Sequence, residues 1–122
     1  MSNRKENSSN FQNELYIFNR CAMNQSVNII KKRWVVQILF SINKGYTRFS
    51  ELKNDIVLVS DYMLAKCLKS LLDDEILKKH TSEDNELGPY YEFTKKGEDL
   101  MSVLIELRIW GKKYIKKEKI NH

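Results

Sequence analysis

Residues 60–72 read Ser-Asp-Tyr-Met-Leu-Ala-Lys-Cys-Leu-Lys-Ser-Leu-Leu, and their spacing decides the fold. Met63, Leu64, Cys67, Leu68, Leu71 and Leu72 recur at the interval of one helix face. Ser60 is a favourable N-cap, and Asp61 in the first turn suits the positive end of the helix dipole. The other face carries Asp61, Tyr62, Ala65, Lys66, Lys69 and Ser70. The segment predicts an amphipathic helix whose apolar side belongs to a core and whose polar side is open to a partner.

Upstream, Phe49, Leu52 and Ile56 predict a brief helix, with Thr47 or Ser50 as its cap. Before it, Trp34, Val35, Ile38, Leu39 and Ile42 repeat at helical spacing, and Lys44-Gly45 ends that helix. Cys21 to Ile30 predicts a further helix with Ala22, Met23, Val27 and Ile30 on one apolar face, and Phe11 to Phe18 a short first one. Downstream, Ile76 to Thr81 and Pro89 to Phe93 are extended in character around a polar stretch, Ser82 to Gly88, which predicts a hairpin. Thr94 caps a long amphipathic pattern from Lys95 to Lys117, with Leu100, Val103, Leu104, Leu107, Trp110, Tyr114 and Ile115 three or four apart. Its apolar surface exceeds what so small a domain can cover, which points to a dimer interface; folding back on the first helix is the alternative. Residues 1–10 are expected to be a disordered tail and residues 11–122 a single domain.

A chain of 122 residues holds one core. Its 21 Lys and Arg against 16 Asp and Glu leave a formal charge of +5, which suits nucleic acid, an anionic membrane surface or an acidic protein without choosing among them. With only four Gly and one Pro, all-β folds rich in tight turns are disfavoured. No apolar run approaches the roughly 18 residues of a membrane span, and the polar start lacks a signal peptide's apolar core, so a cytoplasmic protein without membrane partners is expected. Cys21, Cys67, His80 and His122 do not stand at metal-ligand spacing, so neither metal nor cofactor is expected. No Gly-rich phosphate loop, HExxH or GxSxG is present, and an enzyme is not expected.

The order helix, short helix, helix, hairpin, long helix is that of a winged helix-turn-helix: mainly α (α+β), with a two-stranded wing and long terminal helices forming a dimer interface. The outward face of the Ser60–Leu72 helix suits a DNA major groove. Its candidate DNA contacts are Ser60, Asp61, Tyr62, Ala65, Lys66 and Lys69, with Arg48 before it and Lys78, Lys79 and His80 on the first wing strand facing phosphates. Candidate interface residues are Phe11, Leu15 and Phe18 near the N-terminus and Leu100, Val103, Leu104, Leu107, Trp110 and Tyr114 on the last helix.

From Cys21 to Gly111 the chain resembles the HxlR family of bacterial transcriptional regulators, a branch of the winged-helix repressors near MarR. The resemblance lies in Cys21 placed 13 residues before Trp34, Gly45-x-x-Arg48-Phe49-x-Glu51-Leu52, Ser60-x-x-Met63-Leu64, Leu68-x-x-Leu71, Phe93-Thr94-x-x-Gly97 and Trp110-Gly111. There are departures. Lys31-Lys32-Arg33 replaces Gly-Gly-Lys, Glu75 stands where the family has Gly, and Asp61 where it tends to neutral or basic residues. Glu83, Asp84 and Glu86 make the wing loop acidic and would repel phosphate.

The resemblance implies a homodimer on an inverted-repeat operator in double-stranded DNA, acting as a repressor. It also implies a redox- or electrophile-sensing role for Cys21, for which a thiolate is required; a small core hydrophobe is the other reading of that residue. Cys67, between Leu64 and Leu68, is read as core. Trp34, Phe11, Phe18, Trp110 and Tyr114 form either a site for a small aromatic effector or plain packing. A winged-helix adaptor that binds another protein is the rival function, and salt dependence of DNA binding separates the two.

Overall fold

The computed structural model describes residues 12–13, 21–81 and 86–116. The elements run α1 (Ala22–Ile30), α2 (Val35–Asn43), α3 (Phe49–Asp55), α4 (Asp61–Asp73), β1 (Leu77–His80), β2 (Tyr90–Phe93) and α5 (Lys95–Tyr114). This is the winged helix-turn-helix order that the sequence predicts. Gln12 and Asn13 are helical; the rest of the expected first helix, with Phe11, Leu15 and Phe18, lies outside the described residues, as do the tail and residues 82–85 of the wing loop.

The chain divides into two compact units, Met1–Val36 and Gln37–His122. In the first, α1 has no buried residue, and Met23 and Val27 on its expected apolar face are exposed. Trp34 ends the connection after α1 at φ 76°, an uncommon backbone for a bulky side chain, with the Arg33 guanidinium 5.2 Å from its ring centroid.

In the second unit the core is built from the faces expected of each element. Ile38, Leu39 and Ile42 come from α2, Leu52 from α3 and Leu64, Cys67, Leu68 and Leu71 from α4. Ile56, Val59, Ile76, Leu77, Tyr91, Met101 and Leu104 complete it. Each fully buried aliphatic side chain contributes about 1.5–3 kcal/mol relative to exposure, which makes this apolar set the main support of the fold.

Polar contacts fix the angles between these elements. The α3 cap differs from expectation. Arg48 occupies the N-cap position, and the Glu51 carboxylate accepts from the backbone N–H groups of Thr47 and Arg48, both at 3.0 Å. Ser41 Oγ donates to Asp55, and Lys44 Nζ lies 3.0 Å from the same carboxylate, tying the end of α2 to the end of α3. The hydrogen bond from Ser41 first, and then Lys44, hold the Asp55 carboxyl below its ordinary range.

Two helix ends share one backbone solution. At the end of α2, Tyr46 N–H donates to Ser41 O and Gly45 N–H to Ile42 O, with Gly45 at φ 108°. At the end of α4, Ile76 N–H donates to Leu71 O and Glu75 N–H to Leu72 O, with Glu75 at φ 59°. Both are Schellman turns, which call for a left-handed residue just past the helix. Gly45 adopts it without strain, whereas Glu75 carries a Cβ into the same region.

The hairpin pairs Leu77 with Phe93, Lys78 with Glu92, Lys79 with Tyr91 and His80 with Tyr90. Tyr91 N–H also donates to Thr47 O at 2.9 Å, so the residues before α3 line the wing's free edge. Thr94 caps α5 by accepting from Gly97 N–H at 3.0 Å, as expected, and its hydroxyl donates back to Glu75 O at 2.6 Å. Leu104 is 3% exposed and belongs to this core, so it has no surface to offer a second chain, contrary to its place among the interface candidates. Met101, one turn before it, is buried as well.

Candidate nucleic-acid interface

The side chains expected to face DNA divide into three groups. The first lies on α4. Ser60 Oγ accepts from Met63 N–H at 3.1 Å and starts the helix where the sequence predicts. With the apolar stripe turned inward, Asp61, Tyr62, Ala65, Lys66 and Lys69 are all exposed. Tyr62 is 71% exposed, and the Lys66 ammonium lies 5.9 Å from its ring centroid. Lys69 is paired to Asp73 at 3.3 Å, one turn on, whereas Lys66 meets no carboxylate among the described residues. The face is a convex strip of helix with one unneutralised cation and a phenol at its middle.

The second group lies on the wing, where the three basic residues do not act alike. Lys78 and His80 share a face of the hairpin with Glu92, whose Oε1 is 3.5 Å from Lys78 Nζ and 2.7 Å from His80 Nε2. The hydrogen bond with His80 and the charge of Lys78 hold the Glu92 carboxyl below its ordinary range. His80 also stacks on Tyr90, centroids 4.8 Å apart. Lys79 points to the opposite face beside Tyr91 and is unmatched by a carboxylate among the described residues. The strand's alternation separates what the sequence lists consecutively.

Arg48 forms the third group. Its guanidinium donates to the Gly88 carbonyl and lies 5.4 Å from the Tyr90 ring centroid, so it ties the wing to the start of α3. Its place is half-buried between elements.

Two further features went unnoticed in the sequence. Lys53 in α3 reaches across the turn to Asp61, 3.1 Å from Oδ1, and donates to the Val59 carbonyl at 2.6 Å. No periodicity marks a pair eight positions apart in two helices. In the same turn Val57 and Leu58 are exposed, Leu58 at 84%, while Ile56 and Val59 beside them are buried. The Glu92 pairing, by contrast, follows from the hairpin register once Lys78 is set opposite it.

On α5 the remaining interface candidates form one line. Val103, Leu107, Trp110 and Tyr114 stand four, three and four apart, and each is more than half exposed. The rings of Trp110 and Tyr114 are 5.6 Å apart and inclined by 46°. Leu100, at the head of the line, is half-buried. Cys21 is exposed at the N-cap of α1, and Cys67 is buried in α4 as the sequence predicts.

A family model described as HxlR-like helix-turn-helix matches residues 29–119. The chain belongs to this family. It is a transcriptional regulator of the helix-turn-helix type. The HTH-type transcriptional regulator YvaP of Bacillus subtilis is 31% identical over 91 residues, covering 75% of this chain and 84% of that protein. The reduced form of YodB, a regulator from the same organism, superposes with a TM-score of 0.70 at 28% identity over 81% of this chain and 98% of that one. Its quinone-bound form gives 0.65 at 29% identity over 75% and 97%. A MarR-family protein of Porphyromonas gingivalis gives 0.70 at 28% over 79% and 94%. Glu75 stands where the sequence resemblance expects Gly, and its left-handed backbone is one that Gly adopts without strain. Among the described residues no helix is long and apolar enough to cross a membrane.

Proposed function

We propose that the protein is a homodimeric repressor that binds an inverted-repeat operator, with α4 as the reading helix and the wing beside it. The observation that carries this reading is the division of α4. Leu64, Cys67, Leu68 and Leu71 are closed into the core, while Tyr62, Ala65, Lys66 and Lys69 stand outward on one continuous strip. A major groove admits one such helix, and its N-terminal residues address base edges. Lys79 is the wing's phosphate contact, because Lys78 and His80 are held by Glu92.

Dimerisation rests on the exposed line Val103, Leu107, Trp110 and Tyr114, together with the N-terminal candidates Phe11, Leu15 and Phe18. In this reading residues 11–122 act together as one DNA-binding and dimerisation domain in the cytoplasm, with residues 1–10 as a tail. Two α4 helices of a dimer would meet successive major grooves, roughly 34 Å apart.

The signal is thiol chemistry at Cys21. The side chain is exposed at a helix N-terminus, and the related YodB is known in reduced, diamide-treated and quinone-bound forms. A Cys21 thiolate adding to a quinone forms a C–S bond, and the ring takes up the electron pair and a proton. DNA release by quinone in the wild type but not in Cys21→Ser is the expected result.

The DNA-binding reading is tested by titrating the protein into a pool of random duplexes at rising salt, with light scattering on the same sample. Binding that falls steeply with salt, from a dimer, supports the proposal. A monomer with no DNA affinity at any salt overturns it in favour of a protein-binding adaptor.

A further inference from the structure

We propose that Asp61 is a specificity residue that reads a cytosine in each operator half-site, with Lys53 holding its carboxylate in place. The inference rests on α4 being the reading helix. Asp61 is the first residue of α4, directly after the Ser60 cap, and its side chain is 79% exposed. It stands one turn before Ala65 and two before Lys69, on the outward strip itself.

A carboxylate at that position is a liability on a DNA-facing surface, since phosphates repel it. Two contacts offset this. The Lys53 ammonium sits 3.1 Å from Asp61 Oδ1, so the pair brings no net charge to the DNA. Lys53 is itself fixed, since it donates to the Val59 carbonyl at 2.6 Å and its side chain is only 30% exposed. The ion pair thus clamps the carboxylate against the turn that leads into α4. With 79% of the side chain exposed, the carboxylate remains open to a partner beyond Lys53.

The chemistry then selects the base. An ionised carboxylate only accepts hydrogen bonds. In the major groove guanine and thymine present acceptors, which would repel it, while amino groups are presented by cytosine N4 and adenine N6. Adenine sets its N7 acceptor beside the amino group, so it suits an amide, which donates and accepts side by side. Cytosine presents the donor without N7, and an acidic side chain is its fitting partner. Asp61 is the anion at the N-terminal end of the outward strip, the end that addresses base edges, while Asp73 at its far end is paired with Lys69, so one position per half-site follows.

Binding-site selection from a random duplex library tests this with the full-length wild type, Asp61→Ala and Asp61→Asn, each checked by thermal melting. The wild type should enrich cytosine at one position of each half-site. Asp61→Ala should lose roughly tenfold discrimination at that position and keep the others, and Asp61→Asn should move it towards adenine. Identical site preferences in all three proteins, even with a lowered melting temperature, would reduce Asp61 to a helix-end charge and overturn the proposal. A wild type that enriches no sequence would overturn the DNA-binding reading, and this one with it.

Discussion

Helices α4 and α5 are both amphipathic, and their apolar residues meet different ends. In α4 the stripe Leu64, Cys67, Leu68 and Leu71 is closed by the chain's own core. In α5 only Gly97, Met101 and Leu104 are buried, and from Leu107 onward the apolar side chains stand in solvent. The same periodicity therefore serves a completed core in one helix and an open seam in the other. An apolar stripe gives the direction of a face; what covers that face depends on how much chain is left to lie against it.

The sharpest way to break the contrast is at the root of α5. A Cβ on Gly97 would come within 2.1 Å of the Ile76 carbonyl oxygen, a backbone atom that cannot move aside alone. Gly97→Ala should cost about 3 kcal/mol or more and lower the melting temperature by many degrees, because it pushes α5 off the start of the wing. A melting curve within a degree of wild type would refute this close approach.

Paired truncations give the next largest effect. Leu68→Ala removes a side chain that is 1% exposed and should cost about 2–5 kcal/mol in denaturant titration. Leu107→Asp, at a position 52% exposed, should leave the protomer folded and shift the proposed dimer to monomer by light scattering, because a charge in an apolar seam is costly. Equal loss of folding in both would mean that the two helices are not different in kind.

A smaller effect comes from the end of α4. Glu75→Gly should stabilise by about 1 kcal/mol, since glycine meets φ 59° without the Cβ penalty. The matching change at the other Schellman turn, Gly45→Ala, should destabilise by a similar amount, with chemical denaturation as the measurement.

The smallest effect is one of pH. The folded Asp55 carboxyl titrates below its unfolded value because Ser41 donates to it and Lys44 lies beside it. Its contribution is therefore complete above about pH 4 and is lost as pH falls through the lower folded value. Melting temperature against pH should fall less steeply in that acid range for Ser41→Ala than for wild type.

Much of this was legible in the sequence, for reasons that differ by element. Ser60, Thr94 and Gly45 act through local chemistry, and each caps or ends its helix as its residue type dictates. The α4 stripe was legible because nearly every apolar residue in it is inward. Leu104 was misread because periodicity cannot divide one helix between its own core and a partner. Arg48 and the wing basics were read without their partners for a related reason. Their neighbours, Gly88, Tyr90 and Glu92, are brought to them by the hairpin, and a strand turns successive side chains to opposite faces. Lys53 and Asp61 meet across a turn that no linear pattern marks.

The most direct test of the account is operator affinity for Lys66→Ala and Lys79→Ala, each measured across a range of salt. Lys66 lies on the α4 strip with Tyr62, so its loss should weaken the selected operator by roughly 1–3 kcal/mol while leaving random duplex nearly unchanged. Lys79 stands on the wing, so its loss should weaken both duplexes alike and reduce the salt slope by about one per protomer. Operator affinity unchanged in Lys66→Ala would contradict the assignment of α4 as the reading helix.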